Sequence, residues 1–165
     1  MASLSRVLFL CTGNSARSIM AEAVLAELGA GRCSAYSAGS HPTGSPHPMA
    51  LRILGEQGHS TESLRSKSWD EFAVAGASDL DLIVTVCDNA RGESCPIWPG
   101  GPMTVHWGVD DPASIRDDPA AQYEAFLDAY GILRKRIEAF LALDVEGLDQ
   151  EAARQAVQEL SRIVA

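Results

Sequence analysis

Apolar residues in this chain alternate between short unbroken runs and helical spacing. Val7-Leu8-Phe9-Leu10, within Ser5–Leu10, is an unbroken apolar run that predicts a first strand. Ser18–Leu28 puts Ile19, Ala23, Leu25 and Leu28 on one helical face, with Gly29 as its stop. Cys33–Ala38 reads as a second strand, and the Gly-, Pro-, Ser- and His-rich stretch Gly39–Pro48 as a loop. Pro48–Gln57 predicts a helix ended by Gly58, and Trp69–Ala75 a short one. Leu80–Val86 is the most clearly buried strand, Cys87–Pro102 a loop, and Thr104–Trp107 a last short strand. Asp118–Leu141 predicts a long amphipathic helix with Tyr123, Phe126, Leu127, Tyr130, Leu133, Ile137 and Phe140 inward. Leu148, Ala153, Val157, Leu160 and Val164 mark a further helix, which either packs back on the domain or joins two copies of the chain.

Four strands alternating with helices predict an α/β fold, a three-layer, four-stranded parallel sheet with helices on both faces, plus a C-terminal helix. We expect one domain over residues 1–145 and a helical extension over 146–165. Such sheets bind ligands at the carboxyl ends of their strands. Cys11 and Cys87 both follow such ends and should meet on one edge.

The net charge of −9 argues against nucleic acid or an anionic membrane as partner. It does not forbid an anionic substrate, because donors in direct contact outweigh a diffuse field that salt screens within ~8–10 Å. No apolar run is long enough to span a bilayer, and no basic-then-apolar leader opens the chain, so a cytoplasmic location is expected. In that compartment the four cysteines, Cys11, Cys33, Cys87 and Cys95, are catalytic or inert rather than structural disulfides.

Between the first strand and first helix stands Cys11-Thr12-Gly13-Asn14-Ser15-Ala16-Arg17-Ser18. A strand–loop–helix turn of this kind collects loop N–H groups and a helix N-terminus around one spot, which favours negative charge there. The same field is expected to lower the pKa of Cys11. Arg17 offers a planar fork for two oxygens of a tetrahedral anion, and Ser18 is placed to bond the thiolate or to cap the helix. A second group of residues runs from Val84-Thr-Val-Cys87 through Cys95-Pro-Ile-Trp-Pro99 to His106-Trp-Gly-Val-Asp-Asp-Pro112. Cys87 follows a rigid strand, whereas Cys95 lies in a Gly/Pro-flanked loop, an arrangement suited to forming a disulfide by the active site and carrying it to the surface. Asp111 can act as a general acid, although Asp and Pro also favour turns.

Cys-x5-Arg-Ser at the end of a first strand resembles the low-molecular-weight tyrosine phosphatase family. With Tyr36-Ser-Ala-Gly39 and the two cysteine-bearing stretches, the chain is more closely similar to the thiol-coupled, phosphatase-like arsenate reductases, over residues 7 to about 140. That resemblance implies arsenate reduction for arsenic detoxification. Cys11 would attack arsenate held by Thr12 to Ala16 and Arg17, with Asp111 protonating the departing hydroxyl. Cys87 would release arsenite, and a Cys87–Cys95 disulfide would form last, for thioredoxin, or glutaredoxin with glutathione, to reduce. It implies no bound cofactor, and phosphate or sulfate as competing anions. Some members hold potassium beside this loop; Asn14, Glu22 and Ser37 match that site, while Lys67 can place an ammonium there instead.

The chain departs from the resemblance in two places. Ala16 stands where relatives often have a further cysteine, and the Cys87–Cys95 interval is one residue longer than in the best-studied thioredoxin-coupled members. Two other functions share the motif: a protein-tyrosine or small-molecule phosphatase, in which Cys87 and Cys95 would be idle, and a non-catalytic oxyanion sensor. Cys33 reads as a small core residue and His106 as a structural histidine. Trp98 and Trp107 read as packing, and Arg91 as either solvated or steering. His41, His47 and His59 lack metal-ligand spacing.

Overall fold

The computed structural model describes residues 4–73, 79–87 and 101–164. Its strands are β1 (Arg6–Cys11), β2 (Ser34–Gly39), β3 (Leu82–Thr85) and β4 (Met103–His106). They form one parallel sheet in the order β2-β1-β3-β4. The helices are α1 (Arg17–Leu28), α2 (Pro48–Glu56), α3 (Asp70–Ala73), α4 (Pro119–Ala142) and α5 (Gln150–Glu159). Short 3-10 turns cover Pro112–Ser114 and Leu160–Arg162.

The continuous apolar run of β1 is explained by cover on both faces. Val7, Phe9 and Cys11 share one core with α1, α2, α4 and Val157 of α5. Leu8 and Leu10 join Ala38, Leu80 and Ile83 in a second core, capped by Tyr36, Trp69 and Phe72. The expected three-layer architecture is therefore present. Because β1 pairs with β2 on one side and β3 on the other, the chain leaves the sheet centre in opposite directions, opening a crevice at the carboxyl ends of β1 and β3.

The third strand starts at Leu82 rather than Leu80. Asp81, just before it, still donates its N–H to Arg6 O at 2.9 Å and accepts from Met103 N at 3.1 Å, and its carboxylate accepts from Ser5 N, Ser5 Oγ and Arg6 N at 3.0, 3.0 and 2.9 Å. The helices begin where capping chemistry directs. Asp118 accepts from Ala121 N with Pro119 at the first turn, and Asp149 accepts from Ala152 N. Helix α5 buries Ala153 and Val157 against the domain, the packing-back alternative of the two expected. No helix among the described residues is long and apolar enough to cross a membrane.

Candidate active site

Between the last residue of β1, Cys11, and the first of α1, Arg17, five residues form a loop at the crevice. Its carbonyls face away from the centre. Thr12 O accepts from His41 N at 2.9 Å, Gly13 O from Thr43 N at 3.0 Å and Ser66 Oγ at 3.2 Å, and Ser15 O from His47 N at 2.8 Å. In a trans peptide the N–H opposes the C=O, so the bonds to these three carbonyls turn the N–H groups of Gly13, Asn14 and Ala16 the other way, toward one spot. Asn14, fully buried, carries the one reversal of backbone hand in the loop, with φ of 46°. Its Nδ2 donates to Ser18 Oγ at 2.8 Å and Ser37 Oγ at 3.0 Å, while Oδ1 accepts from Lys67 N at 2.9 Å. The backbone of Gly39 closes against the loop so tightly that a Cβ there would lie 2.4 Å from Thr12 O. The result is a preorganised cradle of N–H groups, an arrangement that can hold an oxyanion.

Two thiols meet at its floor. Cys11 and Cys87 are 5% and 2% exposed, and Cys87 Sγ accepts from Thr12 N at 3.3 Å, with Thr12 Oγ1 3.6 Å away. The expectation that the cradle lowers the pKa of Cys11 is corrected here. The hydrogen bond to Cys87 and then burial push the Cys11 thiol well above its ordinary value, against the opposing pull of Arg17 and the Gly13 N–H. The loop field acts as supposed, but a second sulfur in the same low-dielectric pocket outweighs it.

Arg17 closes the cradle, with its side chain 13% exposed. Nη1 donates to Val109 O at 2.8 Å, and Nη2 lies 3.8 Å from Asp111 Oδ1. Its Nε is buried with no hydrogen-bond partner among the described residues. Buried guanidinium nitrogens are rarely left unpaired, and an oxyanion in the cradle would satisfy this one. Asp111 is 47% exposed and also accepts from Ala113 N at 3.0 Å, so the turn and the charged face of one carboxylate coexist. Ser18 does not cap α1: the N-cap is Ala16, which makes no side-chain bond, and Ser18 Oγ is held by Asn14.

Behind the loop, Asn14, Glu22 and Ser37 come together. Ser37 Oγ donates to Glu22 Oε1, and Lys67 Nζ lies 3.5 Å from the same oxygen and donates to Arg65 O at 2.9 Å. Burial lowers the pKa of Lys67, with Glu22 opposing. Because an ammonium already faces Glu22, and both ends of the Asn14 amide are bonded within the protein, these residues do not fit a resident potassium ion.

Cys11, Arg17, Cys87 and Asp111 are thus gathered at one edge, and Cys95, Arg91 and Trp98 lie outside the described residues. His106 bonds Thr85 Oγ1 through Nδ1 at 2.7 Å, and Trp107 is buried against Phe9 and Phe140. Cys33 Sγ bonds Leu4 O at the edge of the core, away from the site. Sequence reasoning missed the supports. His47 steadies the cradle through its backbone and caps α2 with Nδ1, signalled only by its place before Pro48. Gly39 ends the Tyr36-Ser-Ala-Gly39 stretch, where nothing in the residue pattern signals its close approach to Thr12 O.

The family model for low molecular weight phosphotyrosine protein phosphatase matches residues 6–154. An arsenate reductase from Halalkalibacterium halodurans is 34% identical over 134 residues, covering 81% of this chain and 93% of its own. A solved arsenate reductase in the phosphate binding state superposes with a TM-score of 0.66 at 28% identity, covering 84% of this chain and 97% of that one. A thioredoxin-dependent arsenate reductase from Corynebacterium glutamicum gives a TM-score of 0.60 at 25% identity, covering 86% of this chain and 64% of that one.

Proposed function

This chain belongs to the low molecular weight phosphotyrosine protein phosphatase family, and on that footing we propose that it reduces arsenate to arsenite with its own thiols. One observation carries the reading: a second buried thiol, Cys87, lies against the nucleophile and on the cradle's own Thr12 N–H. Hydrolysis on this fold has no use for that sulfur. Relatives named arsenate reductase support the same choice.

The chemistry follows from the order of the groups. Cys11 thiolate attacks the arsenic of arsenate held by the loop N–H groups and Arg17. Asp111 donates a proton to the departing hydroxide, which leaves as water. Cys87 thiolate then attacks Cys11 Sγ; the sulfur–arsenic pair passes to arsenic, As(V) becomes As(III), and arsenite departs from a Cys11–Cys87 disulfide. Cys95 attacks Cys87, returning Cys11 as thiolate and leaving a Cys87–Cys95 disulfide. An external dithiol protein takes up that oxidation. Thioredoxin is the reductant that the Corynebacterium glutamicum relative favours, with glutaredoxin and glutathione as the alternative. Lys67 supplies the positive charge behind the loop, and the setting is cytoplasmic arsenic detoxification, with phosphate or sulfate as competitors for the cradle.

Reduced protein, given arsenate under anaerobic conditions without added reductant, is expected to release one arsenite per chain and to hold a Cys87–Cys95 disulfide by peptide mass mapping. Hydrolysis of an aryl phosphate with every thiol still free would overturn this reading in favour of a phosphatase.

A further inference from the structure

Arg136, on α4, is 2% exposed and has no carboxylate partner among the described residues. Four backbone carbonyls surround it instead. Nη1 donates to Trp107 O at 3.0 Å and Gly108 O at 3.3 Å, Nη2 to Ser161 O at 2.9 Å, and Nε to Ile163 O at 2.9 Å. A buried guanidinium is tolerated only when its donors find acceptors, and four of its five N–H groups do so here, which holds these four oxygens in place. Two belong to the segment leaving β4 and two to the C-terminal tail.

The tail grips the same segment twice more. The Gln158 side chain forms a two-way pair with the backbone of His106, accepting from its N at 2.9 Å and donating to its O at 2.7 Å, as a neighbouring strand would at this sheet edge. Trp107 Nε1 donates to Val157 O at 3.0 Å. Val109, the residue after Gly108, bonds Val86 O through its N–H and holds Arg17 Nη1 through its carbonyl. The contacts run unbroken from tail to Arg136, to Trp107–Gly108, to Val109, to Arg17.

We propose that Arg136 and the tail from Gln150 to Val164 form a clasp that aims Arg17 at the oxyanion, which makes Arg136 a positioning residue for anion binding. The proposal rests on the reading of the cradle as an oxyanion site, but not on what happens to the anion afterwards.

The test is inorganic phosphate binding to the full chain by calorimetry, on variants first checked for folding by circular dichroism. Arg136→Met is expected to weaken phosphate binding on the order of tenfold, and Gln158→Ala about threefold, since residues in one hydrogen-bond network couple on that scale. In an Arg17→Lys background neither change should cost more, a non-additivity that general loosening would not produce. If Arg136→Met does not fold, Gln158→Ala carries the test, because Ala153 and Val157 stay packed. Unchanged phosphate affinity in the folded variants, additive losses, or no phosphate binding by the wild type would overturn the clasp. Failure of the wild type to reduce arsenate while binding phosphate would remove the proposed reaction and leave the clasp standing.

Discussion

Replacing Cys87 by Ala should make Cys11 more reactive while abolishing arsenite release. In the structure the largest influence raising the Cys11 pKa is its bond to Cys87, and that influence disappears with the sulfur. What remains is burial on one side and Arg17 with the Gly13 N–H on the other. The wild-type thiol lies above its ordinary 9.0, so at pH 7 about 1% or less of it is thiolate. Removing the sulfur removes the largest raising influence, so the Cys11 pKa falls and its thiolate fraction at pH 7 rises. Because nucleophilicity falls with pKa at a Brønsted slope of ~0.45, each tenfold gain in thiolate speeds alkylation about 3.5-fold. The assay is alkylation by iodoacetamide, followed on the Cys11 peptide by mass spectrometry, with phosphate protection marking attack inside the cradle. Cys87→Ser, which keeps a hydrogen-bonding hydroxyl, should accelerate less. Stability gives a second check. A thiol raised on folding contributes stability that is present below its unfolded pKa and lost as pH rises past it, at up to ~1.4 kcal/mol per pH unit. Wild type should therefore lose stability above pH 9.0 more steeply than Cys87→Ala. Cys33, also raised by burial, contributes equally to both and cancels. Alkylation of Cys11 that is unchanged or slower in Cys87→Ala would refute the argument.

Three further outcomes follow from the cradle's supports. Gly39→Ala drives a methyl group into a backbone carbonyl that cannot yield, and should cost about 3 kcal/mol, lowering the melting midpoint by roughly 5–10 °C, with phosphate binding lost first; a folded variant with native phosphate affinity would contradict this. Asp111→Asn keeps the turn acceptor but removes the acid, so kcat for arsenate should fall ~10²–10⁴-fold while phosphate binds as well or better, the Arg17 guanidinium having lost a competing charge; an unchanged kcat would release Asp111 from its role. With Lys67 facing Glu22, steady-state arsenate reduction should be the same in potassium as in tetramethylammonium salts, and Lys67→Met should cost about 3 kcal/mol in urea unfolding by stranding Glu22; stimulation by potassium would count against the built-in ammonium.

What could be read from the residues in advance was local. Val7 to Leu10 announces a strand, unbroken in its apolar run because each face meets its own core, and the spacing from Cys11 to Arg17 encodes the cradle because its donors are successive backbone groups. What could not be read depends on partners distant in the chain or on atoms every residue has. The pKa of Cys11 was misjudged because the deciding group, Cys87, stands 76 residues away and acts by proximity. Arg136 lies in phase with Leu133, Ile137 and Phe140, where a charge normally signals a carboxylate to be found; its acceptors are carbonyls, which leave no mark on a sequence. The same reasoning explains how the proposed anion site is compatible with a net charge of −9. Its attraction would come from a few N–H groups and one guanidinium whose positions are set by bonds to neutral backbone, so the acidic surface would slow arrival without weakening the grip. The weight therefore falls on positioning: a cradle that depends on direction more than charge is disarmed by whatever lets Thr12, Val109 or Arg17 turn.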